Sequence, residues 1–215
     1  MSISDITYNI KENIKKDDIK KDDIEVFTIQ EIDYILDKIQ NKVKELRLFD
    51  LDIYETELRL IKKYNKLLLE NYKLYKLEDN DLFKILEYLI PKLNKKYNKN
   101  YSKEYFINET VKFNKLILYI KNKINRPRPY QIAKYLNNNE IKILESNSAN
   151  TPSCPSGHAF QGFMLFYLIK KHYGIELLNY ATDIGNRRIM AGLHFVGDNI
   201  ISYYLFRLVI DMIHN

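Results

Sequence analysis

Tryptophan is missing from this chain of 215 residues, glycine and proline number only six and five, and cysteine occurs once. A single cysteine, Cys154, allows no intramolecular disulfide, which excludes a small scaffold stapled by bridges. An unbroken apolar run is missing too. Residues 159–169 are too few to cross a bilayer, and 189–213 are interrupted by His194, Asp198, Arg207 and Asp211, each costly in lipid. The N-terminus, MSISDITYNIKENIKKDDIKKDDI, lacks the apolar stretch of a signal peptide. Together these absences predict a soluble protein with no transmembrane segment, kept in a reducing compartment such as the cytoplasm.

Charge is present in quantity. Lys and Arg total 34 against 28 Asp and Glu, a formal net charge of +6. That balance suits an anionic substrate, but it suits nucleic acid or an acidic membrane surface equally, so it decides nothing alone.

Residues 1–27 read as a charged arm with a short repeat, KKDDI-KKDDI, at 15–24. From 28 onward the apolar spacing is helical and no strand run stands out. Ile32, Ile35, Leu36, Ile39, Val43 and Leu46 form one stripe. Leu60, Ile61, Tyr64, Leu67 and Leu68 predict a helix over 53–77, and Asn80 caps a third that breaks at Pro91. Ser102 caps the next, which reaches Ile124 before Pro127 and Pro129 stop it. After a Ser/Asn-rich loop at 146–157, helices follow over 157–172 and 175–190, and a last one starts near His194. The expected architecture is an all-α, single-domain bundle of about seven or eight helices over 28–215.

Three short motifs carry chemistry. In Lys121-Asn-Lys-Ile-Asn-Arg-Pro-Arg128-Pro129, Lys121 ends a helix and Arg128 sits in an extended segment stiffened by proline on both sides. Taken alone, this reads first as a basic surface turn. In Pro155-Ser156-Gly157-His158, a capping hydroxyl and a glycine open an apolar helix, the ingredients of an anion site. In Arg188-Ile-Met-Ala-Gly-Leu-His194-Phe-Val-Gly-Asp198, the four-residue step from His194 to Asp198 lets a carboxylate accept the imidazole Nδ1–H. By itself such a pair more often ties two helices together. Three cations, a helix N-terminus and two imidazoles nevertheless complete the parts list for phosphoryl transfer.

In combination the motifs resemble the superfamily of type 2 phosphatidic acid phosphatases, class A nonspecific acid phosphatases and vanadium haloperoxidases. That signature reads lysine, six residues, Arg-Pro; then Pro-Ser-Gly-His; then Ser-Arg, five residues, His, three residues, Asp. The likeness covers 101–213, with Arg187 standing where the family has serine.

The resemblance implies a metal-independent phosphatase without cofactor, acting on a small phosphorylated substrate. His194 forms a phosphohistidine, Asp198 orients it, and His158 is the general acid and base. Lys121, Arg128, Arg188 and the N–H groups of Ser156 and Gly157 hold the phosphoryl oxygens. A bell-shaped pH profile with an acidic optimum is expected, because His194 must be neutral and His158 protonated. A lipid phosphate reached by peripheral membrane contact is the other substrate class the resemblance admits. No nucleic-acid partner and no metal site are expected, His172 and His214 read as surface residues, and Cys154 as a bystander. The rival readings are a vanadate-dependent haloperoxidase on the same scaffold and a non-catalytic phosphate-binding module. Thr151 stands seven before His158, where the haloperoxidase branch carries an aromatic residue or histidine.

Overall fold

Thr28 and Glu31 start the first helix reciprocally. The Glu31 N–H donates to the Thr28 hydroxyl at 3.3 Å, and the Glu31 carboxylate takes the Thr28 N–H at 2.7 Å. The structure, a computed structural model, describes residues 19–214. Helix α1 spans Ile29–Glu45 and buries Ile32, Ile35, Ile39 and Val43, the stripe expected from their spacing. Residues 1–18 of the expected arm lie outside the described residues. Residues 19–27 depart from a solvated arm: Ile24 is buried, and Ile19, Val26 and Phe27 pack against the core.

The helix expected over 53–77 is two, α2 at Leu51–Asn65 and α3 at Leu68–Asn80. Asn65 explains the break. Its side chain donates to the carbonyls of Met190 and Lys142 at 2.7 and 3.0 Å and accepts the Lys142 N–H at 2.7 Å, pinning the chain to the far loop. The next cap is Asp81, not Asn80. It accepts the Phe83 N–H at 2.9 Å and opens a 3₁₀ turn, Leu82–Ile85, that leads into α4, Leu86–Tyr97. Pro91 does not break α4, because it lies on the exposed face while Leu86, Ile90 and Leu93 stay buried on the other. Asn98, at φ 51°, ends that helix.

Ser102 caps as expected, but the helix it opens is also divided, into α5 at Lys103–Val111 and α6 at Asn114–Ile124. A short α7, Pro129–Tyr135, begins directly at the Arg-Pro step. Helices α8 (Gly157–Tyr173), α9 (Leu178–Met190) and α10 (Val196–His214) complete an all-helical bundle. Among the described residues eight of the ten α-helices run eleven residues or longer, and no strand occurs.

Helix α8 packs chiefly on α9 and α10, and Phe160, Leu165, Ile169, Ile184, Ile201 and Leu205 form the centre of the core. Each such side chain contributes roughly 1.5–3 kcal/mol on burial. No helix among the described residues is long and apolar enough to cross a membrane. His214 is exposed. His172 is partly exposed, with its ring nitrogens 2.9 and 3.1 Å from the hydroxyls of Tyr105 and Tyr101.

Candidate active site

Lys121 lies one turn before the end of α6 and is buried, its ammonium donating to the carbonyls of Pro152 and Ser153 at 2.6 and 3.3 Å. Asn125, at φ 52°, ends the helix, and the prolines then hold Arg128 extended at φ −79°, ψ 157°. Arg128 is buried too. It donates from Nε to the Thr151 carbonyl and from Nη1 to the Leu193 carbonyl, both at 2.8 Å. Among the described residues no carboxylate forms an ion pair with Lys121 or Arg128. Burial, Arg128 and Arg188 hold the Lys121 ammonium well below its usual range. Burial and Arg188 bring the Arg128 guanidinium down to about 10.

His194 stands in the turn before α10, not within that helix, while Asp198 sits in its first turn. Gly192, at φ +71°, makes this turn possible; a Cβ there would lie 2.6 Å from the Lys142 carbonyl oxygen. His194 Nδ1 is 3.2 Å from Asp198 Oδ2, and its Nε2 is 3.0 Å from Arg128 Nη1. A guanidinium only donates, so Nε2 accepts and carries no proton. Nδ1 therefore holds the hydrogen and gives it to Asp198, leaving the Nε2 lone pair directed at the cations. Burial and then Arg128 push the imidazole well below its ordinary 6.5, against the opposing pull of Asp198. Burial alone would raise the Asp198 carboxyl, but Arg126, His194 and the Phe195 N–H together hold it below the usual carboxylate range.

Arg126 was not singled out by the motifs, yet it underlies this pair. Fully buried, it donates from Nη1 to Asp198 Oδ1 at 2.7 Å, from Nη2 to Glu57, and from Nε to the Leu48 carbonyl at 3.1 Å. Its guanidinium carbon lies 4.4 Å from the Phe195 ring centroid and 5.1 Å from that of Tyr54. The available signal was the first arginine of Arg-Pro-Arg-Pro. Glu57 had none, since one carboxylate on a charged helix reads as a solvated face.

Ser156 caps α8, accepting the Ala159 N–H at 3.4 Å, and its own N–H is directed to the Asp198 carbonyl at 3.4 Å. The second contact departs from the role expected for that N–H as an anion donor. Gly157 opens the helix, where N–H groups lack intrahelical partners, and a Cβ there would meet only Ile117 Cγ2 at 4.0 Å. His158 is half-buried. Burial and then Arg188 bring its imidazole down to about 3, while Asp79 and the Glu78 main chain pull the other way. In the free protein His158 is therefore neutral above that value, not protonated as an acidic optimum assumes.

Arg188 donates from Nη1 to Asp79 at 2.7 Å and from Nη2 to the hydroxyls of Ser148 and Ser146 at 2.8 and 3.1 Å. Arg187 makes a two-point ion pair with Glu78 at 2.6 and 2.7 Å, so it adds no unpaired cation to the cluster. The charge of Arg188 acts on Lys121, Arg128 and His158, and those of Arg128 and Lys121 act on His194, so all five motif side chains share one region. An open cavity of about 400 Å³ borders it, lined by Tyr130, Glu145, Ser146, Asn147 and Leu193 among others. Cys154 is buried with its thiol pushed up by burial and by Asp198. No group of three or more His, Cys, Asp or Glu suited to a metal ion occurs among the described residues.

Set beside family models, curated proteins and solved structures, the chain gives no match.

Proposed function

We propose that this protein is a metal-independent phosphatase that hydrolyses phosphate monoesters through a phosphohistidine on His194. One observation carries the reading. Two buried cations without carboxylate partners among the described residues, Lys121 and Arg128, accompany an imidazole whose Nε2 lone pair is directed at Arg128. Buried unpaired charge is costly, and a bound phosphoryl dianion supplies the missing counter-charge.

In the proposed reaction Arg128 turns Nη1 from Nε2 to a phosphoryl oxygen, and Lys121 and Arg188 take the others. Nε2 attacks phosphorus as the bond to the leaving oxygen breaks. His158 gives that oxygen a proton, having taken one up as the dianion raises its affinity for it. Asp198 stabilises the positive charge developing on the His194 ring. His158 then removes a proton from water, the water oxygen bonds to phosphorus, and the phosphorus–nitrogen bond breaks to release phosphate.

Purified protein on a small aryl phosphate tests this. The reading expects turnover that persists in EDTA, is inhibited by vanadate, and disappears in His194→Ala; rapid acid-free quench of a single turnover should trap phosphate on His194. Vanadate-dependent bromide oxidation would instead point to a haloperoxidase. Phosphate binding without turnover across pH 4–8 would leave a binding module.

A further inference from the structure

Both outer nitrogens of Arg188 are engaged, one by Asp79 and the other by Ser146 and Ser148. Its Nε has no partner among the described residues, although the residue is 1% exposed. Buried N–H groups are nearly always paired, so an orphan here marks a donor kept for something else. Asp79 is itself held in place. It accepts from the hydroxyls of Ser146 and Ser148, and its side chain is only 6% exposed. The Tyr75 ring lies against the guanidinium, 5.5 Å from centroid to carbon. All of these partners come from α3 and the 146–148 loop, outside the three motifs.

We propose that Asp79 is a positioning residue: with Ser146 and Ser148 it holds the Arg188 guanidinium by its two outer nitrogens and leaves Nε–H as the donor for a phosphoryl oxygen. This rests on the phosphatase reading of the same site. Asp79 is then a permanent counter-ion that stays in place during turnover, and phosphate has no need to displace it. The opposite arrangement, with Asp79 occupying the arginine until phosphate competes it away, makes the opposite prediction. Removing a negative charge from a cationic pocket would then tighten anion binding.

Calorimetry with inorganic phosphate and with vanadate, alongside KM and kcat, separates the two. For Asp79→Ala the positioning role expects phosphate Kd and KM to rise about tenfold or more, despite the added positive charge. Asp79→Asn keeps an oxygen that can accept from Nη1, and should recover most of that binding. Ser146→Ala with Ser148→Ala leaves the ion pair intact and tests the cradle if Asp79→Ala fails to fold; it should weaken phosphate several-fold. Unchanged or tighter phosphate binding in a folded Asp79→Ala, or in the double serine variant, overturns the positioning role while the phosphatase reading stands. Wild-type protein that binds neither phosphate nor vanadate removes the phosphatase reading, and this one with it.

Discussion

Arg126 Nη1 and Asp198 Oδ1 are 2.7 Å apart with both side chains fully buried, and the same guanidinium also pairs with Glu57. Asp198 therefore stays ionised where burial alone would protonate it, and an ionised Asp198 is what keeps the hydrogen of His194 on Nδ1. Replacing Arg126 by Met would strand two buried carboxylates. Breaking a buried pair from one side costs about 3–5 kcal/mol, and that loss should appear in urea unfolding of Arg126→Met. Arg126→Lys, with a single ammonium for two carboxylates, should lose less stability but still lose turnover.

Asp198→Asn probes the tautomer rather than the charge. An amide at this position can give its N–H to Nδ1, which moves the imidazole hydrogen to Nε2, facing the Arg128 donor now 3.0 Å away. Two donors then meet and the nucleophilic lone pair is lost. The expected fall in kcat is about 10³–10⁴-fold, the scale found when the orienting carboxylate of a hydrolase is neutralised. Nitrogen NMR of the His194 ring should show the proton exchanged between the two nitrogens; an unchanged tautomer with normal activity would count against the mechanism.

How far the sequence reaches is clearest around these same residues. Lys121, Arg128, His158, Arg188, His194 and Asp198 were legible because motif spacing and capping are local properties. Glu57 and Asp79 were not, since they reach their arginines across 69 and 109 positions and look like any carboxylate on a charged helix. The division at Asn65 was hidden for a related reason: its cause is three hydrogen bonds to main chain 77 and 125 positions away, while the local apolar spacing runs on. Helix α4 erred the other way. Pro91 signals a stop, but on a solvent-facing position its lost hydrogen bond is outweighed by the buried stripe beneath it.

The pH dependence should separate free protein from complex. In the free protein His158 is held at about 3 by burial, Arg188 and Lys121, against Asp79 and the Glu78 main chain. Acting as an acid it must be protonated, so kcat/KM, which reports the free enzyme, should decline as pH rises from low values. A phosphoryl dianion beside the ring favours the imidazolium, so the fall in kcat should begin a unit or more higher. His194, already well below its ordinary value, should contribute no ascending limb near neutrality. Coincident limbs for kcat and kcat/KM, after allowance for the substrate's own ionisation, would rule out His158 as the group shifted by substrate.

Two glycines allow folding and phosphate contact to be separated. At Gly197 a Cβ would lie 2.6 Å from Leu48 Cδ2, 3.0 Å from Glu57 Oε1 and 3.2 Å from Arg126 Nη1. Its N–H also donates to Glu57 at 2.6 Å. Alanine normally favours a helix over glycine by about 1 kcal/mol. Here the methyl is driven into the Arg126 network, and overpacking of that kind costs about 1–3 kcal/mol, so Gly197→Ala should lower the melting temperature. Gly157 is the contrast. A Cβ there meets only Ile117 at 4.0 Å, so Gly157→Ala should fold with unchanged or higher stability. Its added methyl would nevertheless stand at the helix N-terminus where a phosphoryl group needs close approach to the backbone. Thermal melts with and without phosphate distinguish the pair. Gly197→Ala should melt early and still gain stability from phosphate, whereas Gly157→Ala should melt like wild type and gain little. Full phosphate stabilisation of Gly157→Ala would mean that the helix N-terminus takes no part in holding the anion.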